Sequence, residues 1–327
     1  MVEEEAPIPE PGPRDVVIAI RVCGVCATDV HSYQGETIQG KRYPFHPGHE
    51  IAGVVYNIGS WVTGVEIGDK VVVDPLYPCR KCEFCVSGKE NHCLDVKTLG
   101  TTGPGGYSDF TVVPMDNVHR FETMSFHQAA FAEPLSTVIY GTRRARLTSQ
   151  DNVLIQGMGP IGLLHLQVAL GAGVRNVIAT DLNPAKLRLA EALGASMTFL
   201  ASEPDTTGRL LRAMPRGFDV VIDCTGVPSV VEQSISLLKN TGRLLLFGVC
   251  PEDSVIQVSP FKIYRRDLEI IGSYALNHTM GEAVRLLEFG KVQTDQLIAK
   301  VMERENVEDA FKLLAEGKVD GKIQIAH

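Results

Sequence analysis

Residues 152–171 place a short apolar strand pattern, a glycine-rich turn and an apolar helix pattern in direct succession. The strand is predicted at Asn152–Gln156 and the helix at Leu163–Gly171; the turn between them reads Gly157-Met158-Gly159-Pro160-Ile161-Gly162. Glycines at such a turn let the backbone curve tightly and approach a phosphate, and the start of the following helix favours negative charge. The order strand, turn, helix therefore indicates a dinucleotide-binding site rather than an ordinary tight turn.

The chain beyond this turn alternates between strand and helix patterns. Further strands are predicted at 176–180, 197–200, 219–223, 243–247 and 268–272. Six strands alternating with helices predict an α/β fold with a doubly wound parallel sheet. Asp181 follows the second strand, where a carboxylate accepts hydrogen bonds from ribose hydroxyls and repels a 2′-phosphate. Because Leu182 and no arginine comes next, the sequence predicts NAD rather than NADP, although Asp181 could also be an exposed acid near a helix start.

The first part of the chain has a different pattern. Four prolines among residues 1–13 predict an extended start, and short strands follow at 15–22, 51–58, 70–74 and 107–113, separated by Gly and Pro. This pattern predicts a β-rich, partly barrel-like domain. Residues 128–146 have helical spacing interrupted at Glu133-Pro134, and the chain from about residue 276 is expected to be helical. The tail at 322–326 is predicted to be a strand that returns to the first domain.

Four cysteines lie within fifteen positions, with the spacing C-x2-C-x2-C-x7-C. Disulfides are typical of small secreted proteins, whereas this chain has 327 residues and no export pattern. Four thiolates at this spacing fit one tetrahedral zinc ion without an open position. The sequence therefore predicts a structural zinc site at Cys79, Cys82, Cys85 and Cys93.

A second group of candidate metal ligands consists of Cys26, His49 and Glu50. Thiolate, imidazole and carboxylate all suit zinc, but a His-Glu pair alone is usually an ordinary surface feature. If Cys26 binds a metal, the Thr28 hydroxyl could contact a metal-bound oxygen and His31 could pass a proton outward; each could equally be structural. Glu133 lies near the predicted domain junction and is either part of the site or a surface helix residue.

These motifs occur in the order found in one enzyme family. They are Gly24-Val25-Cys26-Ala27-Thr28-Asp29-Val30-His31, Gly48-His49-Glu50, the four-cysteine loop, Ala132-Glu133-Pro134-Leu135-Ser136 and the glycine turn. The chain resembles the zinc-dependent medium-chain dehydrogenases, and within them the polyol (sorbitol-type) dehydrogenases. The resemblance implies a GroES-like domain at 1–134 with 276–327 and a Rossmann domain at 135–275.

The resemblance also implies roles for individual residues. Cys26, His49 and a carboxylate would hold a catalytic zinc ion; Glu50 is often the ligand and Glu133 the partner of the bound water, although the two can exchange roles. Thr28 and, less directly, His31 would form the proton relay. Relatives usually begin with a further β-hairpin, so the N-terminal hairpin is expected to be missing here. Ser273-Tyr274-Ala275 stands where some sorbitol enzymes carry an arginine, so sorbitol itself is not implied.

The expected enzyme uses two zinc ions per chain and NAD to oxidise a secondary hydroxyl of a sugar alcohol or related diol to a ketone. An L-threonine 3-dehydrogenase, a simple secondary-alcohol dehydrogenase and a non-catalytic nucleotide-binding protein remain alternatives. A net charge of −8 without a large basic patch predicts no nucleic-acid partner. No apolar run reaches the length of a membrane span, so we expect no membrane partner and a cytoplasmic location. The resemblance implies a homo-tetramer or homo-dimer.

Overall fold

A computed structural model describes residues 1–35 and 45–327 of the chain. It divides into two compact units, one formed by Met1–Ser136 with Leu276–His327 and the other by Thr137–Ala275. The strands, numbered in chain order, are β1 Asp15–Gly24, β2 Glu50–Ile58, β3 Lys70–Val73, β4 Leu76–Tyr77, β5 Lys97–Thr98, β6 Phe110–Pro114, β7 Val118–Arg120, β8 Asn152–Gln156, β9 Asn176–Asp181, β10 Met197–Leu200, β11 Phe218–Asp223, β12 Leu238–Leu246, β13 Glu269–Gly272, β14 Ile298–Glu303 and β15 Lys322–Ala326.

The α-helices are short, and most of them lie in the second unit. They are α1 Ala27–Tyr33, α2 Glu83–Val86, α3 Phe126–Ala129, α4 Ala132–Ala145, α5 Pro160–Gly171, α6 Pro184–Ala192, α7 Thr206–Ala213, α8 Pro228–Leu237, α9 Pro260–Arg266, α10 Met280–Glu288 and α11 Val307–Ala315. Single 3₁₀ turns lie at Glu90–His92, Met115–Asn117, Asp295–Leu297 and Arg304–Asn306.

The first unit is built on one mostly antiparallel sheet in the order β14-β15-β1-β2-β3-β7, with β6 also paired to β1. Strand β15 pairs antiparallel with the end of β1, Val22 opposite Ala326, so the prediction that the tail returns to this domain is confirmed. The expectation that the chain is helical beyond residue 276 is wrong at β14. That strand is largely exposed and lacks a clear apolar alternation, so its pattern gave no strand signal.

The second unit contains a six-stranded sheet in the order β10-β9-β8-β11-β12-β13, and all its strand pairs are parallel. The prediction of a doubly wound parallel sheet is confirmed. The central strands are buried throughout, as expected for parallel strands covered on both faces. The chain runs from β8 to β9 and β10 on one side and then to β11, β12 and β13 on the other. The carboxyl ends of β8 and β11 therefore mark the switch point where such sheets bind ligands.

The helical segment around residue 133 is interrupted at a different place from the predicted one. Helix α3 ends at Ala129 and α4 begins at Ala132, whereas the break was expected at Glu133-Pro134. Pro134 lies in the first turn of α4, where its missing N–H does not cost a helical hydrogen bond. The proline is therefore compatible with this helix start, and Glu133 lies in the same turn.

Candidate active site

The candidate metal ligands of the first unit are brought together by the pairing of two strands. Strands β1 and β2 are antiparallel with Gly24 opposite Glu50, so Cys26, just beyond the end of β1, meets the start of β2. Potential ligand atoms of Cys26, His49 and Glu50 all lie within 4.8 Å of one another. The three residues predicted to share a metal are thus adjacent, and in the described part of the chain this group includes neither His31 nor Glu133.

Asp29 connects the members of this cluster, and no sequence motif had indicated a role for it. Its carboxylate accepts hydrogen bonds from the backbone N–H groups of Cys26 and Gly48, both at 3.2 Å, and from the Tyr107 hydroxyl at 2.9 Å. Its Oδ1 also lies 3.4 Å from Nδ1 of His49. A carboxylate on one ring nitrogen fixes the orientation of the imidazole and leaves the other nitrogen for a metal.

The charges around His49 fit a bound cation. Burial by itself lowers the pKa of His49, but the negative charges of Asp29 and Cys26 outweigh burial and raise that pKa well above its usual value. The pocket therefore favours a positive charge at the imidazole. A thiolate, an imidazole and a carboxylate form a donor set that suits zinc and leaves one position open. These residues fit a catalytic zinc ion.

Glu50 is held by a residue from the far end of the chain. Its Oε1 accepts a hydrogen bond from Nζ of Lys322 at 2.6 Å, and both side chains are buried. Burial alone lowers the pKa of Lys322, but the negative charge of Glu50 raises it overall. No motif had indicated Lys322, which in the sequence is a lysine at the start of a tail that is otherwise apolar and strand-like.

Glu133 lies close enough to the cluster for the charges of His49 and Glu50 to act on its carboxyl group. Removal of that group from water raises the pKa of Glu133 to about 7. Such a carboxyl group can exchange a proton near neutral pH. Thr28 and His31 lie on α1, and both are half-buried. The Thr28 carbonyl accepts a hydrogen bond from the Ser32 hydroxyl at 2.6 Å, which supports the first turn of the helix.

The four clustered cysteines of the loop between β4 and β5 also converge. Potential ligand atoms of Cys79, Cys82, Cys85 and Cys93 lie within 4.8 Å of one another. Backbone hydrogen bonds from Cys85 and Leu94 lower the pKa of the Cys82 thiol to about 6, whereas burial raises that of Cys85. The backbone N–H of Cys79 also donates to Sγ of Cys93 at 3.1 Å. The backbone hydrogen bonds favour the Cys82 thiolate, whereas burial favours the Cys85 thiol. Four cysteines that converge in this way fit a closed zinc site, whose ion would hold them as thiolates.

The glycine turn of the second unit lies between β8 and α5, as predicted. Gly157 has a φ of 92°, and a Cβ atom at Gly162 would lie 1.8 Å from the Gly157 carbonyl oxygen. A Cβ at Gly159 would meet nothing within 4 Å, so space remains beside the start of α5. The first and third glycines are therefore required by the turn itself, and the second leaves room for a ligand. Pro160, at the first position of α5, and Ile161 complete the turn.

Asp181 lies beside this turn at the end of β9. Its Oδ2 accepts a hydrogen bond from the Met158 N–H at 2.6 Å, and its Oδ1 accepts one from the Asn183 N–H at 2.8 Å. The carboxylate thus holds the glycine turn in addition to any contact with a ribose. Across the switch point, the buried Asp223 accepts hydrogen bonds from the hydroxyl and N–H groups of Thr225, a contact that no motif had indicated.

None of the helices in the described ranges is both long enough and apolar enough to cross a membrane. The observation concerns helices only.

Comparison with known proteins identifies the family. The alcohol dehydrogenase GroES-like domain matches residues 12–123, and the zinc-binding dehydrogenase domain matches residues 160–288. D-altritol 5-dehydrogenase of Agrobacterium fabrum is 36% identical over 288 residues, which cover 87% of this chain and 84% of the relative. D-arabinitol dehydrogenase 1 of Uromyces fabae is 32% identical over 305 residues, covering 92% and 87%.

Solved structures lead to the same family. A zinc-binding dehydrogenase from Sinorhizobium meliloti, bound to NADP, superimposes with a TM-score of 0.93 at 31% identity, covering 98% of this chain and 94% of that one. Two family domains match the chain, and relatives above 30% identity match it over most of their length. Together these matches define a class of enzyme. The chain belongs to the zinc-binding dehydrogenases of the alcohol dehydrogenase type. The resemblance inferred from the sequence motifs, including the polyol branch, is confirmed.

Proposed function

We propose that this enzyme oxidises a secondary hydroxyl of a sugar alcohol to a ketone, with zinc and NAD. The observation that carries the proposal is the cluster of Cys26, His49 and Glu50 in a chain 36% identical to a D-altritol 5-dehydrogenase. Relatives named for arabinitol and sorbitol support a polyol as the substrate class. In this assignment residues 1–134 with 276–327 form the catalytic domain, and residues 135–275 bind the cofactor.

Two zinc ions per chain are part of this proposal. Cys79, Cys82, Cys85 and Cys93 would hold the structural ion, and Cys26, His49 and Glu50 the catalytic one. When bound, the catalytic ion supplies a Lewis acid that makes a hydroxyl more acidic. Thr28 would hydrogen-bond the substrate hydroxyl, and His31 would pass its proton towards solvent. The raised pKa of Glu133 suits a carboxyl group that holds a water molecule or a proton beside the cluster.

The two carboxylates are expected to differ in their effect on zinc. Glu50 follows His49 in the chain and belongs to the three-residue cluster, so we propose Glu50 as the ligand and Glu133 as the partner of the bound water. Glu133→Gln is expected to lower activity by about 10- to 100-fold, the usual range for a residue that acts through a ligand. Glu50→Gln should weaken zinc binding more. Zinc content and turnover of both variants test this, and loss of zinc from Glu133→Gln alone would reverse the two roles.

We propose NAD rather than NADP because Asp181 would repel a 2′-phosphate. Asp181→Ala combined with Leu182→Arg is expected to shift the ratio of kcat/KM for NAD over NADP by about 10-fold or more, the value of one charge-assisted hydrogen bond. Leu182→Arg alone is the control, because it keeps the hydrogen bond from Met158 to Asp181. Steady-state kinetics with both cofactors measure the ratio. A wild-type enzyme that already prefers NADP would overturn the role of Asp181.

The substrate class can be decided with one panel. Sugar alcohols including altritol, arabinitol, xylitol and sorbitol would be compared with L-threonine and 2,3-butanediol, with NADH formation as the readout. The highest kcat/KM is expected for a sugar alcohol. A preference for threonine or for a simple secondary alcohol would select one of the other dehydrogenase functions, and no turnover with any of them would favour a non-catalytic protein.

Location and assembly complete the proposal. None of the eight cysteines, all of which lie in the described ranges, forms a disulfide, which suits the reducing cytoplasm. We also propose a homo-oligomer, either a dimer or a tetramer. Strand β13 forms one edge of the parallel sheet, and Val255, Phe261 and Tyr264 are large apolar side chains of the same unit that lie exposed. Light scattering on the purified protein gives its mass directly, and a monomer would contradict this part.

A further inference from the structure

We propose that Gly24 and Lys322 are positioning residues that hold the Glu50 carboxylate in place for the metal. The proposal rests on the zinc site described above and adds two residues that do not themselves bind the ion. Glu50 is only 2% exposed, so its carboxylate depends on protein groups for its position. One oxygen of this carboxylate accepts a hydrogen bond from Lys322. The other lies beside Cα of Gly24, where any other residue would have its Cβ atom.

The contact on the Lys322 side is a buried ion pair. Nζ of Lys322 donates to Glu50 Oε1 at 2.6 Å and to the backbone oxygen of Val25 at 3.2 Å. Val25 lies between Gly24 and Cys26, so the same ammonium group links the Glu50 carboxylate to the backbone next to another proposed ligand. Within residues 1–35 and 45–327, the ion pair of Glu50 with Lys322 is made through Oε1.

The contact on the Gly24 side depends on a missing side chain. A Cβ atom at Gly24 would lie 1.9 Å from Glu50 Oε2 and 2.9 Å from Glu50 Cδ. Non-bonded contacts of a Cβ atom essentially never are this short in proteins. Any residue larger than glycine at position 24 would therefore displace the Glu50 carboxylate. The backbone of Gly24 is outside the left-handed region, so its conformation does not require glycine. The glycine is therefore needed for the space that the Glu50 carboxylate fills.

Three strand ends create this arrangement. Gly24 is opposite Glu50 in the pairing of β1 with β2 and opposite Gln324 in the pairing of β1 with β15. Lys322, at the start of β15, consequently reaches the same carboxylate from the other side of β1. The position of Glu50 is thus determined by the register of β1 with both neighbouring strands.

Gly24→Ala tests the proposal, because alanine suits the strand backbone and adds only the atom that would meet Glu50. We expect zinc to bind the cluster about 10- to 100-fold more weakly, as for other residues that orient a metal ligand. The affinity is measured by competition with a chelator, with the absorption spectrum of the Co²⁺-substituted protein as a second readout. Gly272→Ala is the matched control, since Gly272 also lies in a strand and a Cβ there meets nothing within 4 Å.

A double variant separates positioning of Glu50 from a general disturbance of the strands. Glu50→Gly removes the carboxylate together with the Glu50 Cβ, which a Cβ at Gly24 would meet at 3.0 Å, so adding Gly24→Ala to that variant is expected to change neither zinc affinity nor thermal stability further. If Gly24→Ala still lowers zinc affinity or thermal stability without the Glu50 side chain, the strand backbone itself requires glycine at position 24 and the proposal is overturned. Should Gly24→Ala alone fail to fold, the double variant is still expected to fold, and its failure would also overturn the proposal.

Failure of this proposal is distinguishable from failure of the proposed function. Wild-type protein that binds two zinc ions and oxidises polyols, with Gly24→Ala binding zinc equally well, would reject the positioning role alone. Wild-type protein without zinc at Cys26, His49 and Glu50 would reject the catalytic site itself.

Discussion

Cys26→Ser is expected to abolish turnover in a folded protein, whereas Cys82→Ser is expected to lower stability first. Cys26 belongs to the three-residue cluster proposed to hold the catalytic zinc, which when bound would make the substrate hydroxyl more acidic, so its loss should reduce kcat by about 1,000-fold or more, equivalent to several kcal/mol of charge stabilisation. Cys82 belongs to a closed set of four cysteines that tie one loop together, and such sites contribute folding energy directly.

Three measurements separate the two cysteine variants. Elemental analysis should find about two zinc ions in the wild type and about one in each variant. Circular dichroism and thermal unfolding should show a wild-type midpoint for Cys26→Ser and a lower one for Cys82→Ser, and turnover should be lost in the first. Equal losses of folding in both variants would remove the distinction between a catalytic and a structural ion.

Lys322→Met is expected to destabilise the metal-free protein by about 3–5 kcal/mol, because it leaves the buried Glu50 carboxylate without its cation. Methionine is unbranched and only one atom shorter than lysine, so the lost charge rather than a large cavity causes most of the effect. Because Lys322 also positions Glu50 for the metal, zinc should raise the unfolding midpoint of Lys322→Met less than it raises that of the wild type.

Urea unfolding of chelator-treated and zinc-loaded protein measures both effects of Lys322→Met. Lys318→Met is the control, since Lys318 pairs with Glu316 on the surface and its loss should leave the midpoint essentially unchanged. A Lys322→Met protein as stable as the control would mean that Glu50 is not held as an ion pair.

The parts of the molecule that could be predicted from sequence are those with a local signal. The glycine turn was recognisable because a strand precedes it and a helix follows it, and the four cysteines because they share one loop. The sequence also indicated Cys26, His49 and Glu50 as candidate metal ligands from their chemistry, and the resemblance to a family implied that they share one ion. Their proximity depends on the pairing of β1 with β2, which no local pattern specifies.

Residues that act by long-range contact were missed for the same reason. In the sequence Asp29 was only one member of the motif at residues 24–31, and its four partners come from three segments of the chain. Lys322 was part of a correctly predicted strand, yet its partner lies 272 positions away. Strand β14 was missed because an exposed edge strand has little apolar alternation.

The distance in sequence between Glu50 and Lys322 also sets an order of events during synthesis of the chain. The proposed ligands of the catalytic ion are all translated within the first 50 residues, but their counter-ion follows 272 residues after Glu50. At roughly 5–20 residues per second, a ribosome needs tens of seconds to cover that interval. Throughout this time the Lys322 ammonium group is not available to the Glu50 carboxylate. The buried ion pair of Glu50 with Lys322 can therefore form only after the whole nucleotide-binding unit has been made.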